Sequence, residues 1–165
     1  MSTKFKDWFE NNIVVGRYPL PHEIEKSDFD CIINVSDELI MSCYNSAVKN
    51  GKLFFWFPLN ECTSDMGVNS IYGALQVIRN AEELNQKVYL HCHAGVNRSQ
   101  TVYEAYYRMR TGHDFEKKRY RLDENIRLGH LPSENKMKNF LTKCNDSFNK
   151  DETHRGGMLD DIKLK

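Results

Sequence analysis

The sequence lacks several features that would each assign a chain of 165 residues to a class of protein. It has no excess of either charge, because 23 basic residues balance 23 acidic ones, so no overall field favours a nucleic acid or an anionic membrane. No run approaches the roughly 18 apolar residues that a membrane-spanning helix needs. The charged stretch 1–7 also lacks the apolar core of a signal peptide. We therefore expect a cytoplasmic protein with no membrane span.

The sequence also lacks the paired cysteines of a secreted disulfide framework. Its five cysteines are an odd number at irregular spacing, which favours a reducing compartment. They are Cys31, Cys43, Cys62, Cys92 and Cys144. Apart from His91-Cys92-His93, no Cys/His pair has metal-ligand spacing, and alternation along a strand would direct Cys92 away from both histidines. We expect neither a metal nor a cofactor.

The chain does carry alternating strand and helix signals. Four short apolar or alternating runs predict strands, at 13–16, 31–35, 53–57 and 87–91. Helical spacing precedes and separates them, at 5–9, 37–49 with Ser36 as a cap, and 68–84, while Pro19 and Pro21 predict an extended segment. After residue 98 the pattern is helical only, over about 98–111 and 114–128 and again after Pro132. This order predicts an α/β fold, with a mostly parallel sheet of four to five strands flanked by helices and a C-terminal helical cluster.

The length suits a single domain, which we place at residues 1–145. Residues 146–165 are polar and include two adjacent glycines, so we expect a flexible C-terminal tail there.

Residues 87–99 combine a strand, a glycine-containing loop and the start of a helix: Lys-Val-Tyr-Leu-His-Cys-His-Ala-Gly-Val-Asn-Arg-Ser. A loop between a strand and a helix can direct backbone N–H groups into one concavity, where the helix N-terminus adds partial positive charge. Gly95 allows the tight curve, and Arg98 can offer two parallel N–H bonds to a tetrahedral oxyanion. A thiol at Cys92 held over this concavity would shift toward the nucleophilic thiolate. The alternative is an inert buried cysteine, with Arg98 in a surface salt bridge.

The pattern His91-Cys92-x-x-Gly95-x-x-Arg98-Ser99 resembles the signature loop of the cysteine-dependent protein tyrosine phosphatases, in particular their dual-specificity branch. The resemblance covers about residues 10–145 and implies an enzyme that hydrolyses phosphomonoesters through a cysteinyl-phosphate, with Cys92 as nucleophile. The Arg98 guanidinium and the backbone N–H groups of six loop residues would bind the phosphate. These six are His93, Ala94, Gly95, Val96, Asn97 and Arg98. Ser99 could donate to the departing thiolate or simply satisfy backbone groups in the first helical turn.

The general acid is the open position of the predicted site. By resemblance, an aspartate on the loop after the preceding strand would protonate the leaving oxygen. The family's spacing from Pro58 falls on Glu61, which differs in residue type, whereas Asp65 has the right type but lies later in the loop. Asp65 could instead cap the following helix. We favour Asp65 over Glu61.

The predicted substrate is a phosphorylated protein, carrying phosphotyrosine and in some cases phosphoserine or phosphothreonine. Apart from Arg98 the loop carries no lysine or arginine, unlike many family members that act on phosphoinositides. The pair Asn97-Arg98 resembles the RNA 5′-triphosphatase members, so an RNA 5′ end is an alternative, as is a phosphoinositide. A phosphate-binding module without turnover is the third hypothesis, because the acid loop is irregular.

Overall fold

The computed structural model describes residues 3–61, 63–115 and 120–162, with side chains described as far as residue 150. It contains four strands, which are β1 (Ile13–Gly16), β2 (Cys31–Asn34), β3 (Leu53–Trp56) and β4 (Val88–His91). The helices are α1 (Thr3–Asn12), α2 (Pro21–Lys26), α3 (Met41–Lys49), α4 (Val68–Glu83), α5 (Arg98–Thr111), α6 (Arg121–Arg127) and α7 (Glu134–Ile162). Cys62 and residues 116–119 lie outside the described residues, as do the last three.

The four strands form one parallel sheet in the order β1-β4-β2-β3. Strand β4 pairs with β1 from Ile13 opposite Val88 and with β2 from Cys31 opposite Val88, so it lies inside the sheet. The prediction of an α/β fold with a parallel sheet is confirmed. Because the strands are parallel, their carboxyl ends meet at one edge, where the loops after β2, β3 and β4 come together.

The sheet is covered on both faces, which explains why β2 is apolar at nearly every position. Ile33 faces the larger core, formed with α1, α4, α5 and α7, while Ile32 faces a smaller core with α2 and α3. Every residue of β2 is buried. Burying one fully enclosed aliphatic side chain stabilises a fold by about 1.5–3 kcal/mol, so this strand anchors the loops at its end.

The N-terminal half departs from the predicted elements at two places. The segment expected to be extended forms α2, since Pro21 occupies the first helical turn, where its missing N–H costs nothing. The helix expected from 37 begins only at Met41, because Ser36 does not cap it. The Ser36 hydroxyl instead donates to Asn34 Oδ1 at 2.7 Å, holding residues 36–40 in a loop at the end of β2.

The C-terminal half departs from prediction at its helices. The helix expected from 114 begins at Arg121, and Asp114 and Phe115 are not helical. Helix α7 extends past residue 145, where the sequence predicts the tail to begin, as far as Ile162. Phe148 is buried and its ring contacts Tyr72, so apolar packing continues past the predicted boundary. Over the described residues, no helix is both long and apolar enough to cross a membrane.

Candidate active site

The loop that leaves β4 carries the cysteine and curls back under it to start α5. Residues 93–97 bend continuously, and the helix begins at Arg98. Gly95 has a φ of +78°, a conformation that side chains rarely adopt. A Cβ there would lie 2.5 Å from the Gly16 carbonyl carbon, so the loop packs directly on the end of β1. The residues predicted to bind phosphate are therefore brought together in one curved segment.

The Cys92 thiol lies at the centre of this curve and is only 2 % exposed. Its Sγ is 3.2 Å from Ser99 Oγ and accepts the Gly95 N–H at 3.2 Å. Burial alone would raise the pKa of the thiol, but hydrogen bonds from the Ser99 hydroxyl and from the backbone N–H groups of Ser99, Gly95 and Asn97 outweigh it and lower the pKa of Cys92. The N–H groups of the loop thus converge on the sulfur.

The other described cysteines provide a contrast in the same protein. Burial raises the pKa of Cys31 to about 12 and that of Cys144 to about 11, since no comparable set of donors compensates it. Burial also raises the pKa of Cys43. Cys92 is the described cysteine with a lowered pKa, so the alternative of an inert thiol is not supported.

The guanidinium of Arg98 is buried beneath the loop, and its described hydrogen bonds are made by one nitrogen, Nη1. Its Nη1 donates to Asp37 Oδ1 at 2.8 Å and to the Leu59 carbonyl at 3.3 Å. Its Nε is buried and has no hydrogen-bond partner among the described residues. With Nη1 tied back, the Nε–Nη2 edge is the pair of donors left to a tetrahedral anion. The salt bridge named in the inert alternative therefore exists, although its arginine is buried rather than at the surface.

Asp37 was not identified from the sequence. Its side chain is 63 % exposed, and the hydrogen bond from Arg98 lowers the pKa of its carboxyl. A signal was available, because Asp37 follows β2, a neighbour of β4, and ligands collect beyond the carboxyl ends of adjacent parallel strands. Assigning residues 37–40 to a helix concealed it.

The structure brings Glu61 to the loop. Glu61 Oε1 accepts a hydrogen bond from Asn97 Nδ2 at 3.0 Å, and Glu61 Oε2 lies 3.8 Å from Arg98 Nη2. Asp65 is exposed, and it accepts its described hydrogen bonds within its own loop, at Oδ1 from the Gly67 N–H and at its backbone carbonyl from the Thr63 hydroxyl. Asp65 does not cap α4, whose cap position is Gly67.

Two residues near α6 hold these loops in place, and the sequence offered no signal for either. Asn125 is buried on α6, and its Nδ2 lies 2.9 Å from Asn97 Oδ1. His130 makes two hydrogen bonds to the acid loop. Its Nδ1 is 2.5 Å from the Thr63 carbonyl, and its own carbonyl accepts the Met66 N–H at 2.8 Å. The signature loop and the acid loop are therefore joined through α6 and the short segment that follows it.

His91, just before Cys92, lies in the core as a neutral imidazole. It is fully buried, and this burial lowers its pKa to about 4. Its Nδ1 is 3.3 Å from the Cys92 carbonyl, which accepts the proton of this nitrogen. A neutral imidazole here orders the backbone at the start of the loop. Within the described ranges, no group of three or more His, Cys, Asp or Glu side chains is arranged to hold a metal ion.

The chain is similar to known phosphatases over most of its length. The family model for the catalytic domain of dual specificity phosphatases matches residues 16–147. The solved structure of PTPMT1 has a TM-score of 0.57 and 16 % identity, over 88 % of this chain and 96 % of that one. The core catalytic domain of the PP-IP phosphatase SIW14 from S. cerevisiae has a TM-score of 0.58 and 14 % identity, over 85 % and 88 %. Tk-PTP in its active form has a TM-score of 0.55 and 19 % identity, over 84 % and 94 %. No curated protein matches the chain significantly in sequence.

Proposed function

We infer the function from one premise: the chain belongs to the dual-specificity phosphatase family and is a phosphatase of this cysteine-based superfamily. We propose that it hydrolyses phosphomonoesters without a metal, through a cysteinyl-phosphate on Cys92. The observation that carries this proposal is the buried Cys92 sulfur, whose pKa is lowered by donors that converge from the loop and from Ser99. A stabilised thiolate over a curved loop is the arrangement that phosphoryl transfer to sulfur needs.

The chemistry divides into two steps that share the same residues. In the first step the Cys92 thiolate attacks phosphorus, the bond to the leaving oxygen breaks, and the acid gives that oxygen its proton. Arg98 and the loop N–H groups balance the charge on the equatorial oxygens. In the second step water attacks phosphorus, the thiolate departs while accepting a hydrogen bond from Ser99, and the carboxylate takes the water proton.

Glu61 is the general acid in this proposal. Its carboxyl contacts Asn97 and lies within 3.8 Å of Arg98, whereas the described contacts of Asp65 are confined to its own loop. Asp65, which the sequence favoured, remains the alternative that the experiment tests beside it. The two carboxyls differ in position rather than in chemistry, so isosteric amide variants compare them directly.

The substrate we propose is a phosphoprotein, with phosphotyrosine preferred. Asp37 is exposed beside Arg98, and its negative charge opposes the approach of a ligand with several phosphates. A phosphoinositide is the second candidate, because PTPMT1 has been solved in complex with PI(5)P and shares this fold. A location in the reducing cytoplasm is part of the proposal, since a catalytic thiolate must stay reduced.

Phosphate release from p-nitrophenyl phosphate in excess EDTA tests the proposal. We expect turnover by the wild-type protein and none by Cys92→Ser, while Cys144→Ser, which changes a thiol of raised pKa, serves as the matched control. With phenyl phosphate, whose more basic leaving group needs the acid, Glu61→Gln should lower kcat/KM by about 100-fold, the low end for a general acid, and Asp65→Asn much less. No turnover in the reduced wild-type protein would favour the binding module, and activity in Cys92→Ser would contradict the proposed nucleophile.

The wild-type protein is then used to rank the candidate substrates. Phosphotyrosine peptide, phosphoserine peptide and PI(5)P in mixed vesicles are compared by kcat/KM at one ionic strength. The proposal expects the phosphotyrosine peptide to be hydrolysed fastest. A higher kcat/KM for PI(5)P would replace the phosphoprotein with the phosphoinositide, leaving the chemistry at Cys92 unchanged.

A further inference from the structure

A chain of amide hydrogen bonds runs from the interior of α6 to the acid loop. Asn125 is only 3 % exposed, and its Nδ2 lies 2.9 Å from Asn97 Oδ1. Asn97 in turn donates from Nδ2 to Glu61 Oε1 at 3.0 Å. Three elements that are distant in sequence are thus connected by the two ends of one asparagine side chain.

The direction of every hydrogen bond in this chain follows from a backbone carbonyl. Asn125 Nδ2 lies 2.8 Å from the Arg121 carbonyl oxygen, which can only accept, and 2.9 Å from Thr101 Oγ1, whose own proton goes to the Asn97 carbonyl. The atom of Asn125 that faces both must therefore be the nitrogen, and its two N–H groups are shared among these two acceptors and the side chain of Asn97. The Asn97 atom beside that nitrogen must then be its oxygen. Asn97 therefore presents its N–H group, and never its oxygen, to Glu61.

An N–H group that faces one oxygen of a carboxylic acid decides which oxygen carries the proton. Asn97 Nδ2 donates to Glu61 Oε1 at 3.0 Å, whereas Arg98 Nη2 is 3.8 Å from Oε2, beyond hydrogen-bond distance, so a protonated Glu61 carries its proton on Oε2. Oε2 is the oxygen that lies 3.8 Å from Arg98 Nη2, on the side where phosphate and its leaving oxygen would be bound. The hydrogen bond from Asn97, rather than the backbone of Glu61, thus orients the Glu61 carboxyl.

We propose that Asn125 is a positioning residue for proton donation: through Asn97 it fixes the Glu61 carboxyl so that the proton on Oε2 faces the leaving oxygen. The inference rests on the proposed role of Glu61 as general acid. Asn125 itself touches neither the substrate nor the acid. Its effect on kcat/KM is exerted in the step in which the P–O bond breaks and Oε2 transfers its proton to the departing oxygen.

The test compares two substrates that differ in their need for an acid. Phenyl phosphate releases a strongly basic phenolate, with an alcohol pKa of about 10, whereas p-nitrophenolate is a weaker base and needs less protonation. We expect Asn125→Ala to lower kcat/KM for phenyl phosphate about tenfold, a fraction of the full acid contribution, and for p-nitrophenyl phosphate less than threefold. Asn97→Ala should give the same unequal losses, and since this half-buried loop residue lies outside the core it guards against misfolding of the first variant.

Glu124→Gln is the matched control, because Glu124 neighbours Asn125 on α6 and pairs with Arg121 at the surface. It should leave both substrates unaffected. The double variant Asn97→Ala/Asn125→Ala should lose no more than either single variant, because both cut the same chain of hydrogen bonds. In a Glu61→Gln background, Asn125→Ala should cause no further loss that depends on the leaving group.

Each contrary result separates the inference from the proposed function. Equal losses on both substrates, or no loss from Asn125→Ala, would overturn the positioning role while Glu61→Gln still shows its leaving-group effect. If Glu61→Gln itself lowers both substrates equally, the acid assignment is wrong and the inference falls with it. Full additivity of Asn97→Ala and Asn125→Ala would also overturn it, since the residues would then act independently.

Discussion

Replacing Ser99 by alanine tests how the loop stabilises the thiolate of Cys92. The Ser99 hydroxyl is 3.2 Å from the sulfur and is the largest of the contributions that lower the pKa of the thiol. The backbone donors from Gly95, Asn97 and Ser99 stay in place in Ser99→Ala. The variant thus removes one hydrogen bond to a charged acceptor and leaves the shape of the loop intact.

The expected size follows from the energy of that bond. A hydrogen bond to a charged group contributes about 1.5 kcal/mol, which corresponds to roughly tenfold in the equilibrium between thiol and thiolate. The variant thiolate is also more basic and hence more nucleophilic, with a Brønsted coefficient of about 0.45, so each thiolate reacts roughly threefold faster. Alkylation of Ser99→Ala should be roughly threefold slower than wild type at low pH and roughly threefold faster at high pH. The two pH profiles should cross.

The assay is the rate of iodoacetamide labelling between pH 4.5 and 9, read by mass spectrometry on the peptide that contains Cys92. Ser46→Ala removes a hydroxyl that donates to the Pro21 carbonyl, far from the loop in sequence, and should reproduce the wild-type profile. Profiles of Ser99→Ala that coincide with wild type, or that are lowered equally at every pH, would refute the reasoning. The same variant should also accumulate the cysteinyl-phosphate, because a more basic thiolate departs more slowly.

Two further changes test the scaffold. Gly95→Ala places a Cβ 2.5 Å from the Gly16 backbone at a φ of +78°, and we expect more than tenfold loss of activity. Gly112→Ala, at φ +73° but with no atom of the described residues within 4 Å of the new Cβ, should keep full activity in the same assay. Burial raises the pKa of Glu104 to about 7 although it accepts the backbone N–H groups of Arg121 and Leu122, so ionising it opposes folding. Because the pKa of Glu104 is higher in the folded protein, the free energy of unfolding falls by about 3 kcal/mol as pH rises from the unfolded-state pKa of 4.5 through 7. Glu104→Gln should gain stability relative to wild type over that window in urea unfolding, and parallel pH profiles would contradict this.

Much of the fold could be predicted because its signals are local. The apolar run of β2, the helical stripe of α4 and the signature loop are each set by neighbours in sequence, and the structure has all three. The start of α3 was wrong because Ser36 has a partner in Asn34 that competes with helix capping. Short polar side chains offer such alternatives to the backbone, and sequence does not show which one wins.

The parts of the site that were not predicted are those that depend on contacts between distant segments. Asp37 reaches Arg98 across 61 positions of sequence, and Asn125 reaches Asn97 across 28. No rule of sequence spacing predicts either contact, because the loops that carry these residues are brought together only by the sheet and by α6. The same holds for Glu61 and Asp65, which lie four positions apart on one loop.

Cys92 follows an interior strand of the sheet, and this position affects the order in which the site loses its structure on warming. Strand β4, which leads to Cys92, is enclosed by β1 and β2, whereas β3, which leads to the acid loop, is at an edge. Edge strands open at lower free energy than interior strands, so amide hydrogens of β3 should exchange with solvent before those of β4. Opening of β3 would displace the acid loop, whereas the cysteine loop would stay attached to β4. The protein would then retain phosphate affinity at temperatures where its turnover has already begun to fall.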